Sequence, residues 1–347
     1  MTLLLAEGFG WLGTGTHTYD ATPYELTSGQ WAQLSRDFIV TSYATGRQIV
    51  WANHATYGML LVTNGLGDNA QINMGCRLVT SDAYTISKLI CQFRDGGSIL
   101  GNFGVKTDGK LYYVRGSRMG SGTEVAVSDT ALSGPGENYV EIEVTFHGST
   151  GTVKMWIDGI QVCDESGLDT INAGTLCDNC VIEGTSLYEG FRRTTGITDI
   201  YIDDSTQHGD VKVETVACSL AGTDSDWTPS AGNNEDNVDE IGPDEDTTYN
   251  ESNTGTDKDG YKCAAMSDIG DIVALVHQVR VRKADAFDGK FKIGAIHNAV
   301  ESQSADKSCA TEYAEAVEIF ETNPDTAAAW LAAQLGTAEL TIENTTV

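Results

Sequence analysis

The sequence predicts a mainly β protein in two folded parts, and three observations carry that prediction. Apolar and polar residues alternate with period two, turn signals recur at short intervals, and the composition changes abruptly after Ala217. Val140, Ile142, Val144 and Phe146 fall on one side of an extended chain, while Glu141, Glu143, Thr145 and His147 fall on the other. Val153, Met155 and Ile157 repeat the pattern, as do Val211 and Val213, which is the signature of strands with one buried face. Asn64-Gly65, Asp95-Gly96-Gly97, Asp108-Gly109 and Asp158-Gly159 punctuate these runs as hairpin turns do. With 347 residues, 38 of them glycine and only 5 proline, the chain is long enough to bury two cores.

Taken in order, residues 1–216 read as a sandwich of short strands. Residues 217–262 read as an acidic connector: from Asp224 to Lys262 there are 12 acidic residues, 2 lysines and, among large apolar side chains, little besides Trp227 and Tyr249. Residues 263–347 read as a smaller β-rich domain with one short helix. Ile272 to Val281 and Lys290 to Ile293 are its strand-like stretches, and Thr311 to Glu321 fits either a helix or a strand. The helix is expected from Asn323 as N-cap and Pro324 in the first turn, with Ala327, Leu331 and Leu335 on one face and Gly336 closing it. A last strand follows, with Ala338, Leu340 and Ile342 on one side.

Charge excludes some partners. With 21 Lys+Arg against 50 Asp+Glu, the net charge of −29 opposes nucleic acid and anionic membrane alike. The apolar runs are far shorter than the roughly 20 residues of a spanning helix. Met1 to Glu7 lacks a basic region, so no secretory signal is expected and the chain is read as made in a reducing cytoplasm. On that reading the eight cysteines (76, 91, 163, 177, 180, 218, 263, 309) are free thiols. No repeat of solenoid or propeller length is evident.

The run from Val140 to Phe146, the turn His147 to Gly151 and the run from Lys154 through Trp156 and Asp158-Gly159 to Val162 resemble the laminin-G/concanavalin A-like jelly roll. Cys91 to Asp95 and Tyr112 to Arg115 look like earlier strands of that fold. Asp199 to Ser205, Gly209 to Thr215, Asp226 to Pro229, Val238 to Glu240 and the ending from Asn323 to Leu340 resemble tailed-bacteriophage virion proteins that carry such a domain. The resemblance implies a concanavalin A-like jelly-roll sandwich, a place on a virion made in the host cytoplasm, and no chemistry. The partners it implies are other virion proteins and further copies of the chain. The second reading is a carbohydrate-binding virion adhesin that recognises host surface glycans.

Candidate chemistry is sparse. Lectin-like folds that hydrolyse glucans carry Glu-x-Asp-x-(x)-Glu on one strand; Glu141-Ile142-Glu143 lacks that pattern, and both glutamates are expected to be solvated on an outward face. Cys177-Asp178-Asn179-Cys180 is a C-x-x-C without a second pair, and the six histidines show no metal-ligand spacing. Gly8 to Gly13 matches G-x-G-x-x-G as text, but it lacks a following helix and reads as a loop. Asp203 and Asp204, with Asp257 and Asp259, are the candidate ligands for calcium, whose hard oxygen preference they suit. Trp11, Trp31, Trp51 and Trp156 have flat rings that suit a sugar site or a sandwich core, and Trp156, on the face opposite Met155 and Ile157, is the candidate glycan platform. Leu26 to Ile49 and Ala264 to Val281 are acid-poor, and Arg280, Arg282 and Lys283 are the candidate cations of an assembly interface.

Overall fold

The computed structural model describes residues 3–7, 15–17, 31–35, 38–42, 48–52, 60–63, 66–80, 88–116, 122–185, 195–240, 246–263, 270–284 and 288–346. The chain divides into two compact units, Met1–Glu214 and Thr215–Val347. The Gly8 to Gly13 run and Trp11 lie outside the described residues; Trp31 and Trp51 lie on strands.

The first unit is the expected two-sheet jelly-roll sandwich. One sheet runs Ile160–Leu168, Gly151–Ile157, Gly136–Thr145, Gln71–Thr80, Thr195–Asp203, Gln48–Ala52, Phe38–Ser42 and Gly15–His17, with Leu3–Glu7 also paired to Thr195–Asp203. The facing sheet runs Thr123–Ala131, Lys110–Arg115, Ser98–Val105, Lys88–Asp95, Asn179–Thr185, Leu60–Thr63 and Trp31–Ser35. Alternation decides what lies between them. Ile72, Met74, Cys76, Val140, Ile142, Val144, Val153 and Met155 of the first sheet share one buried core with Phe93, Leu100, Phe103, Leu111 and Tyr113 of the second. The expected hairpin at Asp158-Gly159 is present, with φ of 49° and 77°, as a two-residue turn between right-twisting strands requires.

The second unit has its own core, in which Tyr261, Phe291, Ile293, Trp330, Leu340 and Ile342 are buried. Its sheet runs Cys218–Ser225, Lys258–Cys263, Glu339–Asn344, Gly289–His297 and Val300–Gln303, with Lys307–Cys309 also on Gly289–His297. The stretch expected as a solvated connector therefore supplies two strands of this sheet. It does so through polar rather than apolar burial. Asp259 is fully buried and accepts hydrogen bonds from the Trp227 amide (2.9 Å), Asn234 Nδ2 (2.6 Å) and the Tyr261 hydroxyl (2.6 Å). Asn250 Nδ2 donates in turn to the Tyr261 oxygen at 2.7 Å.

The region from Thr311 to Glu321 resolves into a strand, Ala314–Phe320, paired with Leu275–Val281. The expected helix shrinks to Ala332–Leu335. Asn323 does not cap it: its Oδ1 accepts from the amide of Asp325 (2.9 Å), closing a turn, and Ala327 sits at φ 53°. Trp330 is buried with its indole N–H donating to the Phe320 carbonyl at 2.9 Å, which fixes the extended chain just ahead of the helix.

Candidate functional site

The polar face of the larger sheet, opposite the core, carries the chemistry of the first unit. Strand register sets Tyr201, Gly75, Glu141, Trp156 and Gln161 directly opposite one another on neighbouring strands. The next row is Asp203, Asn73, Glu143, Lys154 and Asp164. Tyr201 and Glu141 stand two strands apart, roughly 10 Å by ordinary strand spacing, yet the Tyr201 hydroxyl donates to Glu141 Oε1 at 2.6 Å. Gly75 makes that reach available. A Cβ there would come within 2.3 Å of the Tyr201 ring, so the ring crosses the middle strand where no side chain stands.

Residues 204–214 then lie across this face as a strap. Asp203 Oδ1 accepts from the amides of Ser205 (2.8 Å) and Thr206 (2.7 Å), turning the chain back on itself. His208 Nε2 meets Asp203 Oδ2 at 2.9 Å, and its ring packs edge-on to Tyr201 with centroids 5.0 Å apart. Gln207 Nε2 donates to Glu141 Oε2 (2.8 Å), and the Gly209 amide donates to Oε1 (2.9 Å). Further along, Asp210 pairs with Arg77, and the Val213 amide donates to Asp199 Oδ1 at 3.0 Å. Arg77 also contacts Asp199 Oδ2 (3.3 Å) and lies over the Tyr139 ring.

The expectation of two solvated glutamates is thus corrected. Glu141 is fully buried, and Glu143 pairs with Lys154 at 2.8 Å. Burial pushes the Glu141 carboxyl above its usual range, against the pull of its bonds from Tyr201, Gln207 and Gly209. For Asp203 burial acts in the same direction, but the bonds from His208, Ser205 and Thr206 outweigh it and hold the carboxyl below its usual range. Burial also pushes the Tyr201 phenol far up. Every oxygen of Glu141 is already taken by the strap or by Tyr201, so this arrangement holds chain to chain; it does not present an acid–base pair to solvent. Asn73, buried in the same face, has neither amide atom hydrogen-bonded.

Trp156 is half-buried beyond the end of this network, flanked in register by exposed Gln161 and by the Glu143–Lys154 pair one row away. Asp203 and Asp204 belong to the first unit, and Asp257 and Asp259 to the second, where Asp257 Oδ2 accepts from Ser252 at 2.9 Å. Among the described residues, no group of three or more His, Cys, Asp or Glu side chains is placed to hold a metal ion. Arg280 lies 3.8 Å from Glu315 and over the Tyr313 ring, Arg282 pairs with Asp246 at 2.6 Å, and both partners belong to the same unit. Cys177 and Cys180 are buried free thiols whose ionisation burial pushes far up. The network around Glu141 was hidden from sequence reading because its ends, Gly75, Glu141 and Gln207, are far apart in the chain. Locally the sequence shows a carboxylate on the polar side of a strand and no more.

No family model matches the sequence. No curated protein matches it either. Among solved structures, the fold is similar to an endo-β-1,4-glucuronan lyase from Trichoderma reesei (14% identity, 51% of this chain and 94% of that one, TM-score 0.38). It is also similar to the fourth domain of an extracellular arabinanase from Geobacillus stearothermophilus, solved with arabinotriose (11% identity, 58% and 91%, TM-score 0.37). A Trypanosoma rangeli sialidase matches at 10% identity over 56% of this chain, with a TM-score of 0.33, and this chain spans only 31% of its length. None of the three is a virion protein, and at these values the likenesses carry no argument about activity.

Proposed function

We propose that the chain is a non-enzymatic carbohydrate-binding protein whose first unit presents the glycan platform. One observation carries this reading: Trp156 is half-buried on the polar face of a rigid sheet, with Gln161 and the Glu143–Lys154 pair beside it. A flat indole offers apolar area to the C–H face of a sugar ring, and amide, carboxylate and ammonium groups at its rim suit the ring hydroxyls. Strand positions hold such groups in place at little entropic cost on binding. Glu141, the nearest carboxylate in register, is sealed under the strap, which favours binding over hydrolysis. The wider setting, a phage virion subunit that docks on other virion proteins and grips host glycans, rests on the sequence resemblance. Of its expected docking cations, Arg280, Arg282 and Lys283, the two arginines have acidic partners within their own unit, which favours the glycan face as the contact.

The test is a glycan array with the intact protein, followed by titration of the best ligand against Trp156→Ala and Trp156→Phe. Loss of a stacked indole should weaken binding by about tenfold or more, with phenylalanine restoring part of it and the melting temperature little changed. Absence of any glycan ligand, or binding indifferent to Trp156→Ala, would overturn the reading.

A further inference from the structure

Most of the thiols are out of reach of any reagent. Cys76, Cys91, Cys163, Cys177 and Cys180 are buried in the core of the first unit, the C-x-x-C pair included. Three are half-exposed, and all lie in the second unit: Cys218, Cys263 and Cys309. Cys309 stands opposite Gly289 in its sheet and has no sulfur across from it. Cys218 and Cys263 differ, because antiparallel register sets them directly opposite each other on Cys218–Ser225 and Lys258–Cys263. Opposed residues on antiparallel strands have Cα atoms roughly 4.5–5.5 Å apart, inside the roughly 4.4–6.8 Å that a disulfide spans. The two thiols are close enough that each shifts the other's ionisation, Cys218 upward and Cys263 downward. Among the described residues Cys218–Ser225 is an edge strand of its sheet, and both cysteines are partly exposed.

We propose that Cys218 and Cys263 form an oxidisable pair, closed to a disulfide by a small-molecule disulfide of the glutathione type. This is a modification site distinct from the glycan face and independent of it. Cys263 is the attacking group: the neighbouring Cys218 thiol favours its thiolate against the cost of burial. Its sulfur attacks one sulfur of oxidised glutathione, forming a mixed disulfide and releasing one glutathione thiolate. Cys218 then loses its proton to solvent and attacks the Cys263 sulfur, expelling the second glutathione. The protein gives up two electrons and two protons, and the oxidant leaves as two thiols. The closed bond ties the edge strand to its neighbour and joins the two ends of residues 219–262, the acidic stretch, into a loop. A cross-link over so long a loop restricts the unfolded chain and so raises stability.

The experiment treats the intact native protein with oxidised glutathione, alkylates free thiols after denaturation, and maps peptides without reduction. The expected product is a peptide pair joined through Cys218 and Cys263, an intact mass about 2 Da lower, and alkylation of the other six cysteines. The second unit should also melt at a higher temperature, and dithiothreitol should reverse both changes. Cys218→Ser should stop at the mixed disulfide on Cys263, about 300 Da heavier, and Cys263→Ser should slow capture of glutathione at residue 218. Mixed disulfides alone in the wild-type protein, or linkage shared equally with Cys309, would overturn the proposal. These readouts do not involve glycan, so their failure leaves the binding reading standing and the reverse holds too.

Discussion

His277 shows how one side chain sets a pH limit. It is buried on Leu275–Val281, donates through Nδ1 to the Gly294 carbonyl oxygen at 3.2 Å, and has its ionisation pushed down to about 4 by burial. Its unfolded value is 6.5, so below that pH the unfolded chain takes up a proton that the folded chain refuses. The stabilising contribution is therefore complete above pH 6.5 and is lost progressively down to about 4. Between pH 7.5 and 5 the cost should be about 2 kcal/mol, at 1.36 kcal/mol per pH unit below the unfolded pKa. Urea unfolding at the two pH values measures it, and His277→Leu should flatten the difference; an unchanged slope would refute the assignment. The residue's placement in an apolar register was legible from its neighbours in sequence. Glu141 was not. Period-two alternation set it correctly on the outward face, but whether an outward face is wet depends on what crosses it, and the crossing segment begins more than 60 residues later.

Hairpin turns display the same contrast between local and distant information. Asp158-Gly159 and Asn298-Ala299 are both two-residue loops with positive φ throughout, at 49° and 77° in the first and 49° and 64° in the second. The first was readable because glycine announces that geometry. The second was not, since alanine at positive φ is strained by its Cβ and gives no signal. That strain is removable: Ala299→Gly should stabilise the second unit by about 1 kcal/mol, read as a raised urea midpoint with an unchanged slope. A neutral or lower midpoint would show that the strain is relieved elsewhere. Strands with a buried face were legible from Val140 to Thr145 as from Glu339 to Asn344, but Val211 and Val213, which alternate in the same way, lie in the strap and not on a strand. Two other misread elements share a cause. Residues 217–262 looked too polar to fold, and the stretch from Asn323 looked helical. In each, asparagine side chains bond to the backbone or to buried polar groups and take over the local conformation.

At the scale of the whole chain, charge is shared unequally between the units. Residues 1–214 carry 13 Lys+Arg against 25 Asp+Glu, a net −12, whereas residues 215–347 carry 8 against 25, a net −17 in a much shorter stretch. Five of the eight cations of the second unit are engaged in ion pairs: Lys258 with Glu301, Lys262 with Glu339, Lys307 with Glu318, Arg280 with Glu315 and Arg282 with Asp246. The carboxylates left over repel one another across a small surface, and compactness raises that repulsion relative to the unfolded chain. Salt screens such surface terms, shrinking the Debye length from roughly 10 Å at 0.1 M to 3 Å at 1 M. Because the units have separate cores, calorimetry of the intact chain should resolve two transitions. Hydrogen exchange of Gln71–Thr80 and Gly289–His297 assigns them. Raising sodium chloride from about 20 mM to about 0.5 M should lift the transition of the second unit by more than that of the first. One cooperative transition, or equal shifts, would show that the excess charge of residues 215–347 is not what limits their stability.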